Sequence, residues 1–230
     1  MIKKIFDHLF AIPCPSCKKE NALSSSEFCQ TCLEKLNLIS PPFCPGCGGE
    51  LDGILIVCSK CLLEEAFPWE SAIAIMQLKG LGSKLIQRYK YNNDTSLSRP
   101  FAAMAFNGIK KSQINFDLIS FIPLHWRKRF ARGYNQTEII AKHLSALTNV
   151  NFKQTLTRNR HTSSQTTLTG QRRRKNLLNA FSLKNPTFIH NRNILLIDDV
   201  FTTGSTLRAA AEEILKANPK SISILVLARK

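Results

Sequence analysis

Residues 194–206 read Ile-Leu-Leu-Ile-Asp-Asp-Val-Phe-Thr-Thr-Gly-Ser-Thr. Four aliphatics in a row fit a strand buried on both faces of a parallel sheet. The following stretch Thr206–Ala217, TLRAAAEEILKA, combines alanines with leucines at helical spacing and predicts a helix. The turn between them then sits at the C-terminal edge of the sheet, where open α/β folds bind ligands. Backbone N–H groups at a helix start carry partial positive charge and suit a phosphate. Thr202, Thr203, Ser205 and Thr206 add hydroxyl donors, and Gly204 lets the chain approach closely. Two carboxylates repel a phosphate, but they make sense if the ligand also carries hydroxyls. Ionised Asp198 and Asp199 only accept hydrogen bonds, as the 2′- and 3′-hydroxyls of a ribose require. The turn is shaped for a ribose 5-phosphate, with a magnesium ion bridged through water as a further use of the carboxylates. A Walker loop is excluded, because no Gly-Lys-Ser or Gly-Lys-Thr follows.

The flanking chain alternates in the same way. Ser71–Gln77 reads as a strand, Gly82–Tyr91 and Leu97–Phe106 as helices, and Phe116–Ile122 (FDLISFI) as a short buried strand. Asn135 followed by Glu138 marks a helix start, and this helix runs to about Leu147. His143 on it is structural, since nothing pairs it with a nucleophile. Residues 154–175 are polar and cationic without periodicity, the pattern of a mobile loop or extended arm. Strands 194–200 and 221–228 flank the helix 206–217. This order implies a doubly wound parallel sheet.

All eight cysteines lie in the first 61 residues, as the pairs Cys14/Cys17, Cys29/Cys32, Cys44/Cys47 and Cys58/Cys61. Two thiolates separated by two residues grip one tetrahedral ion from a tight turn, and two such turns complete four sulfur ligands. A disulfide framework needs an oxidising compartment, and redox Cys-x-x-Cys motifs come singly, so two zinc ions are expected. Sequential pairing gives two ribbons, 14–32 and 44–61; alternate pairing gives a cross-braced module. Cys47 is followed by two glycines where the chain turns around sulfur, whereas Lys18 and Lys19 follow Cys17. Four sulfur ligands leave no open position for catalysis, so the module is structural. Phe67-Pro-Trp69 marks the boundary between it, over 1–66, and an α/β domain over 67–230.

The formal charge of +16 is unevenly spread. From His125 to Arg192 fourteen Lys or Arg stand against one acid, Glu138, and a one-sign field of this kind suits a polyanionic partner. Arg127, Lys128, Arg129 and Arg132 fall in one expected loop, and Arg158, Arg160, Arg172, Arg173, Arg174 and Lys175 in another. Two or three arginines suffice for a pyrophosphate; the excess suits a nucleic-acid backbone. Trp126, Phe130 and Tyr134 are interleaved for stacking on unpaired bases, with core packing the alternative for Phe130. No segment approaches the ~18–20 apolar residues of a membrane span. Ile2, Ile5, Phe6, Leu9 and Phe10 fall at helical spacing and predict a short amphipathic helix docked on the body, with membrane attachment through it the alternative; Asp7 and His8 interrupt any signal-peptide core, so a cytoplasmic protein is expected.

The thirteen residues 194–206 resemble the phosphoribosyl pyrophosphate fingerprint of type I phosphoribosyltransferases. With IPLHWRKRFARGYNQ (122–136), RNRHTSSQTTLTGQRRRKNLLNAF (158–181) and the cysteine-rich N-terminus, the chain is similar to the ComF family of competence proteins. The resemblance implies a type I phosphoribosyltransferase fold with a double zinc ribbon, and a pyrophosphate-facing loop over Pro123–Arg127. It also implies a flexible segment over 158–175 above the site, magnesium bound with phosphoribosyl pyrophosphate, and a role in natural transformation. Incoming single-stranded DNA would then be a cytoplasmic partner, beside other competence proteins such as a helicase and a DNA-processing protein. The resemblance does not name an acceptor. The alternative is an active phosphoribosyltransferase of nucleotide salvage, for which the arginine excess and the zinc module are surplus. A transcriptional regulator would need a helix-turn-helix, and none is recognisable.

Overall fold

The computed structural model describes residues 12–19, 22, 24, 27–159 and 179–230. The helix expected over residues 2–10, and Arg160, Arg172, Arg173, Arg174 and Lys175, lie outside them.

Four parallel strands form the central sheet: β1 (Ser71–Gln77), β2 (Leu118–Phe121), β5 (Asn193–Phe201) and β6 (Ser221–Arg229), in the order β1-β6-β5-β2. Each is an apolar run because both faces are covered. The helices α3 (Gly80–Tyr91), α4 (Ser98–Ser112) and α6 (Gln136–Thr148) cover one face with Leu85, Phe101, Ala105, Ile140 and Leu144. α7 (Ser205–Leu215) covers the other with Leu207, Ala210, Ala211 and Ile214. These match the sequence-based elements to within two residues, except that α4 runs six residues past the expected end at Phe106.

Two segments differ from expectation. Arg127–Arg132, read as loop, form the short helix α5 (Trp126–Arg132). His125 starts it by accepting the Arg127 N–H on Nδ1 at 3.3 Å, and Gly133, at φ 75°, ends it. No apolar stripe announces this helix, because its large side chains do not face the core. Phe130 is 90 % exposed and Trp126 65 %, so Phe130 is a surface residue, not a core one. Within 154–175, Leu156–Arg158 form β3, antiparallel to β4 (Phe181–Leu183). Three residues are too short for a period, yet Leu156 and Phe181 anchor the ribbon in the α7-side core.

The cysteine module straddles the β1 edge. Its short helices α1 (Gln30–Glu34) and α2 (Ser59–Leu62) each start at the third cysteine of a tetrad. Cys14, Phe28, Cys29, Cys32 and Leu36 join the α3/α4 core, while Ile39, Cys44, Cys47 and Trp69 join the α7 core. Between the two halves the chain runs antiparallel beside β1: Gln77 N–H donates to Asn37 O at 2.8 Å and Ile39 N–H to Ile75 O at 2.9 Å. The Ile119 backbone of β2 at the opposite edge is likewise paired, with Asn151 and Lys153, so neither edge is left bare along those residues.

Candidate functional site

β5 ends in the two carboxylates. Alternation along the strand sends Leu195, Ile197 and Asp199 toward the α3 side and Leu196 and Asp198 toward the other. Asp198 is buried and accepts the Asp199 N–H on Oδ1 at 2.8 Å. Burial, with the adjacent Asp199 charge, pushes its pKa up to about 7, against the pull of Lys90 and Arg158. Asp199 meets the Lys90 ammonium at 2.8 Å. Burial opposes the charged form of Lys90, but Asp199 outweighs it and raises its pKa. Lys90 was not singled out by sequence: at the end of α3 it looks no different from Lys84, and only the return of α3 to the sheet edge distinguishes it.

More cations converge here. Burial lowers the Arg158 pKa, partly offset by Asp198 and Asp199. Burial also lowers that of Lys128, with repulsion from Arg158, Arg132 and Lys90 adding to it. Lys90, Lys128 and Arg158 thus gather about the carboxylate pair, with Arg132 beside Lys128. Arg132 also lies 4.9 Å over the Tyr91 ring and donates to Gln136 Oε1 at 3.2 Å. Arg127 and Arg129 are engaged elsewhere, over Trp126 at 5.2 Å and with Glu138 at 3.5 Å.

Beyond the carboxylates the chain turns through Thr202, Thr203 and Gly204 into α7. Gly204 has φ 71°, and a Cβ there would stand 2.8 Å from the Phe201 ring, so glycine is required twice over. Thr203 Oγ1 and Ser205 Oγ lie 2.8 Å apart, and Thr202 and Thr203 are exposed while Thr206 is half-buried. The first α7 hydrogen bond back to the turn is from Arg208 N–H to Gly204 O, which leaves the N–H groups of Ser205, Thr206 and Leu207 facing outward from the helix start. The turn therefore sets outward N–H groups, of the kind that suit an anion, beside two carboxylates, of the kind that suit hydroxyl donors.

The cysteines gather sequentially as Cys14, Cys17, Cys29, Cys32 and as Cys44, Cys47, Cys58, Cys61, the sulfurs of each set within 4.8 Å of one another. Four sulfurs at about 2.3 Å from a tetrahedral zinc lie about 3.8 Å apart. Cys17 and Cys29 Sγ are 3.8 Å apart, and Cys47 and Cys58 Sγ 3.7 Å. Both tetrads fit the ion. Their turns are the same: Lys18 N–H donates to Cys14 O and Gly48 N–H to Cys44 O, each at 2.8 Å, with φ of 58° and 69°. Gly48 is obligatory because a Cβ would meet Ala74 N at 2.4 Å. The first turn lacks its glycine and forms all the same. Burial raises the Cys47 thiol to about 11, and burial with the Cys47 charge raises Cys61 further. A cation has to compensate before all four sulfurs ionise.

Family models match the chain at two places: a double zinc ribbon domain over residues 5–62 and a phosphoribosyl transferase domain over 132–230. Competence protein F of Haemophilus influenzae is 30 % identical over 229 residues, covering 96 % of this chain and 99 % of that protein. DNA utilization protein YhgH of Escherichia coli K12 is 27 % identical over 94 % of this chain and 96 % of its own length. Competence protein ComFC of Bacillus subtilis is 26 % identical over 87 % of this chain and 83 % of its own. Among the described residues no helix is long and apolar enough to cross a membrane. A parallel α/β sheet with a carboxylate-tipped β5, two sequential cysteine tetrads and end-to-end similarity together place the chain in the competence protein F family, with a double zinc ribbon followed in this chain by a phosphoribosyltransferase-like domain.

Proposed function

We propose that this chain binds phosphoribosyl pyrophosphate with magnesium at the β5–α7 turn, and single-stranded DNA along the cationic surface beside it, in the cytoplasmic handling of DNA during natural transformation. The observation that carries the reading is the juxtaposition at one strand end of Asp198 and Asp199, the cations Lys90 and Arg158, and the Gly204 turn into α7. In this reading the carboxylates accept the ribose hydroxyls. Thr202, Thr203, Gly204, Ser205 and Thr206 surround the 5-phosphate. Magnesium supplies charge neutralisation for the diphosphate, shared with Lys90, Lys128 and Arg158. The exposed Trp126 and Phe130 among the α5 cations support a stacking surface for unpaired bases. The names of the Haemophilus and Escherichia relatives support the DNA-handling context. A helicase and a DNA-processing protein are the competence partners that the family resemblance implies. The chain divides in this reading into a metal module over 1–66 and a phosphoribosyltransferase-like domain over 67–230.

Calorimetric titration of the zinc-loaded protein with phosphoribosyl pyrophosphate and magnesium, with and without an oligothymidylate, tests it. Saturable binding that falls at least 100-fold in Asp199→Ala is expected. Absence of binding in either condition would overturn the sugar-phosphate assignment. Turnover in nucleotide salvage is the second reading, supported by cations beside the carboxylates that would suit a leaving pyrophosphate. It requires pyrophosphate release with some base or amine that collapses in the same variant.

A further inference from the structure

The two cysteine tetrads are each tied by an arginine to a helix that borders the site. In the first, Pro15 and Ser16 lie inside the Cys14–Cys17 turn, and their carbonyls accept from Arg88 Nη2 at 2.9 Å and Nη1 at 2.8 Å. Asp94 holds the same Nη2 at 2.5 Å. Arg88 stands two residues before Lys90, whose ammonium meets Asp199. Tyr89 between them is buried and donates its hydroxyl to Gln136 O at 2.9 Å. The last turn of α3 is therefore pinned at one point to the metal turn and at the next to the carboxylate.

The second tetrad repeats this on the opposite face of the sheet. Arg208, in the first turn of α7, donates through Nη1 to Ala66 O at 2.6 Å and through Nη2 to Glu65 O at 3.0 Å. Its guanidinium lies 4.8 Å over the Phe67 ring. That ring packs so closely on Gly46, inside the Cys44–Cys47 turn, that a Cβ there would stand 2.5 Å from it. Trp69 stacks on Phe67 at 4.8 Å and donates Nε1–H to Gly46 O at 3.1 Å. Arg208 is four residues past Gly204, so the second metal turn braces the helix whose start faces the proposed phosphate.

We infer that Arg88 and Arg208 are positioning residues that couple the two metal sites to the ligand site, the first ribbon through Lys90 and Asp199, the second through the 203–205 turn. The carbonyls of Pro15 and Ser16 and the face of Gly46 hold their places only while the cysteine turns are closed, and closure around four sulfurs depends on the metal. Opening the first turn withdraws acceptors from the half-buried Arg88 guanidinium, and opening the second removes the Gly46 surface behind the Phe67 ring on which Arg208 lies; each frees the helix end that its arginine fixed. Coupling of this kind is reciprocal: if zinc organises the ligand site, ligand must hold zinc. The ligand arm of this inference rests on the proposed sugar-phosphate reading, while the helix arm does not.

Hydrogen–deuterium exchange on the full zinc-loaded chain separates the two. Cys17→Ser should raise exchange in 85–91 and leave 205–210 protected, and Cys61→Ser should do the reverse. Exchange that rises only within 14–61, or equally everywhere, overturns the coupling. Arg88→Met and Arg208→Met keep all eight cysteines, should retain two zinc ions, and should each raise exchange in their own helix. With 1 mM phosphoribosyl pyrophosphate and magnesium, zinc transfer to a chromogenic chelator should slow at least tenfold in the native chain. That slowing should be lost for one ion in each arginine variant. Unchanged transfer in a protein that calorimetry shows to bind the sugar overturns the inference. If calorimetry finds no binding, the sugar-phosphate reading fails and the exchange result alone decides the coupling.

Discussion

Asp198 has no room to be an ordinary carboxylate. Its burial and the charge of Asp199 raise its pKa to about 7 in the fold, whereas in the unfolded chain it titrates near 4. The folded state therefore keeps a proton that the unfolded state releases, and stability falls as pH rises from about 4 to about 7, then levels off. Asp198→Asn removes this penalty. Its melting temperature should exceed that of the native chain at pH 8, and the gap should close toward pH 5, as read by calorimetric melting in both buffers. A pH-independent gap would mean that Lys90 and Arg158 already keep Asp198 ionised. Such a pair of carboxylates, held against its own repulsion, is what a site for a hydroxylated phosphate ligand needs. It was legible in the sequence because two acids interrupt an apolar strand. Lys90 was not, since the counter-ion comes from a helix more than a hundred residues away and carries no local mark.

At the scale of elements, the sheet and its long helices were legible because both faces demand apolar runs and helical spacing, as Ile194–Ile197 and the alanines of α7 display. Elements that do not bury a stripe were not. α5 is defined by its caps, His125 and Gly133, and carries its large residues outward, so periodicity missed it. A glycine after Cys17, like the one after Cys47, is likewise not needed: Lys18 adopts the same left-handed turn as Gly48, and Gly48 is pressed against the β1 backbone. The helical form of α5 bears on the proposed DNA surface. Its seven residues are short enough that the exposed rings of Trp126 and Phe130 are one turn apart, beside Arg127 and Arg129. Trp126→Ala and Phe130→Ala should each weaken oligothymidylate binding by about 1–3 kcal/mol at fixed salt. Arg127→Ala with Arg129→Ala should instead flatten the log–log salt dependence by about 0.7 per lost phosphate contact. Fluorescence anisotropy over a salt series distinguishes the two, and an unchanged slope in the arginine variant would remove α5 from the DNA surface.

For the molecule as a whole, the boundary expected at Phe67 is a change of composition but not a break in the core. Leu36 and Phe28 share one core with Ile73, Ile75 and Met76 of β1, and Trp69 closes over the second cysteine turn from the α/β side. Such contacts join residues far apart in the chain, and no local spacing reports them. β1 would be an edge strand without the module, with its outer N–H and C=O groups bare over an apolar run, the feature that drives strands to pair with other chains. The two parts should therefore fold as one. The full zinc-loaded chain should melt in a single calorimetric transition. A chain of residues 67–230 should lose its near-ultraviolet dichroism, melt without cooperativity and aggregate, even though every residue of the β5–α7 turn is retained. A cooperative transition for 67–230 within a few degrees of the full chain would show instead that the sheet closes its own edge. In that case the burial shared across β1 adds little, and zinc would act on the site only through Arg88 and Arg208.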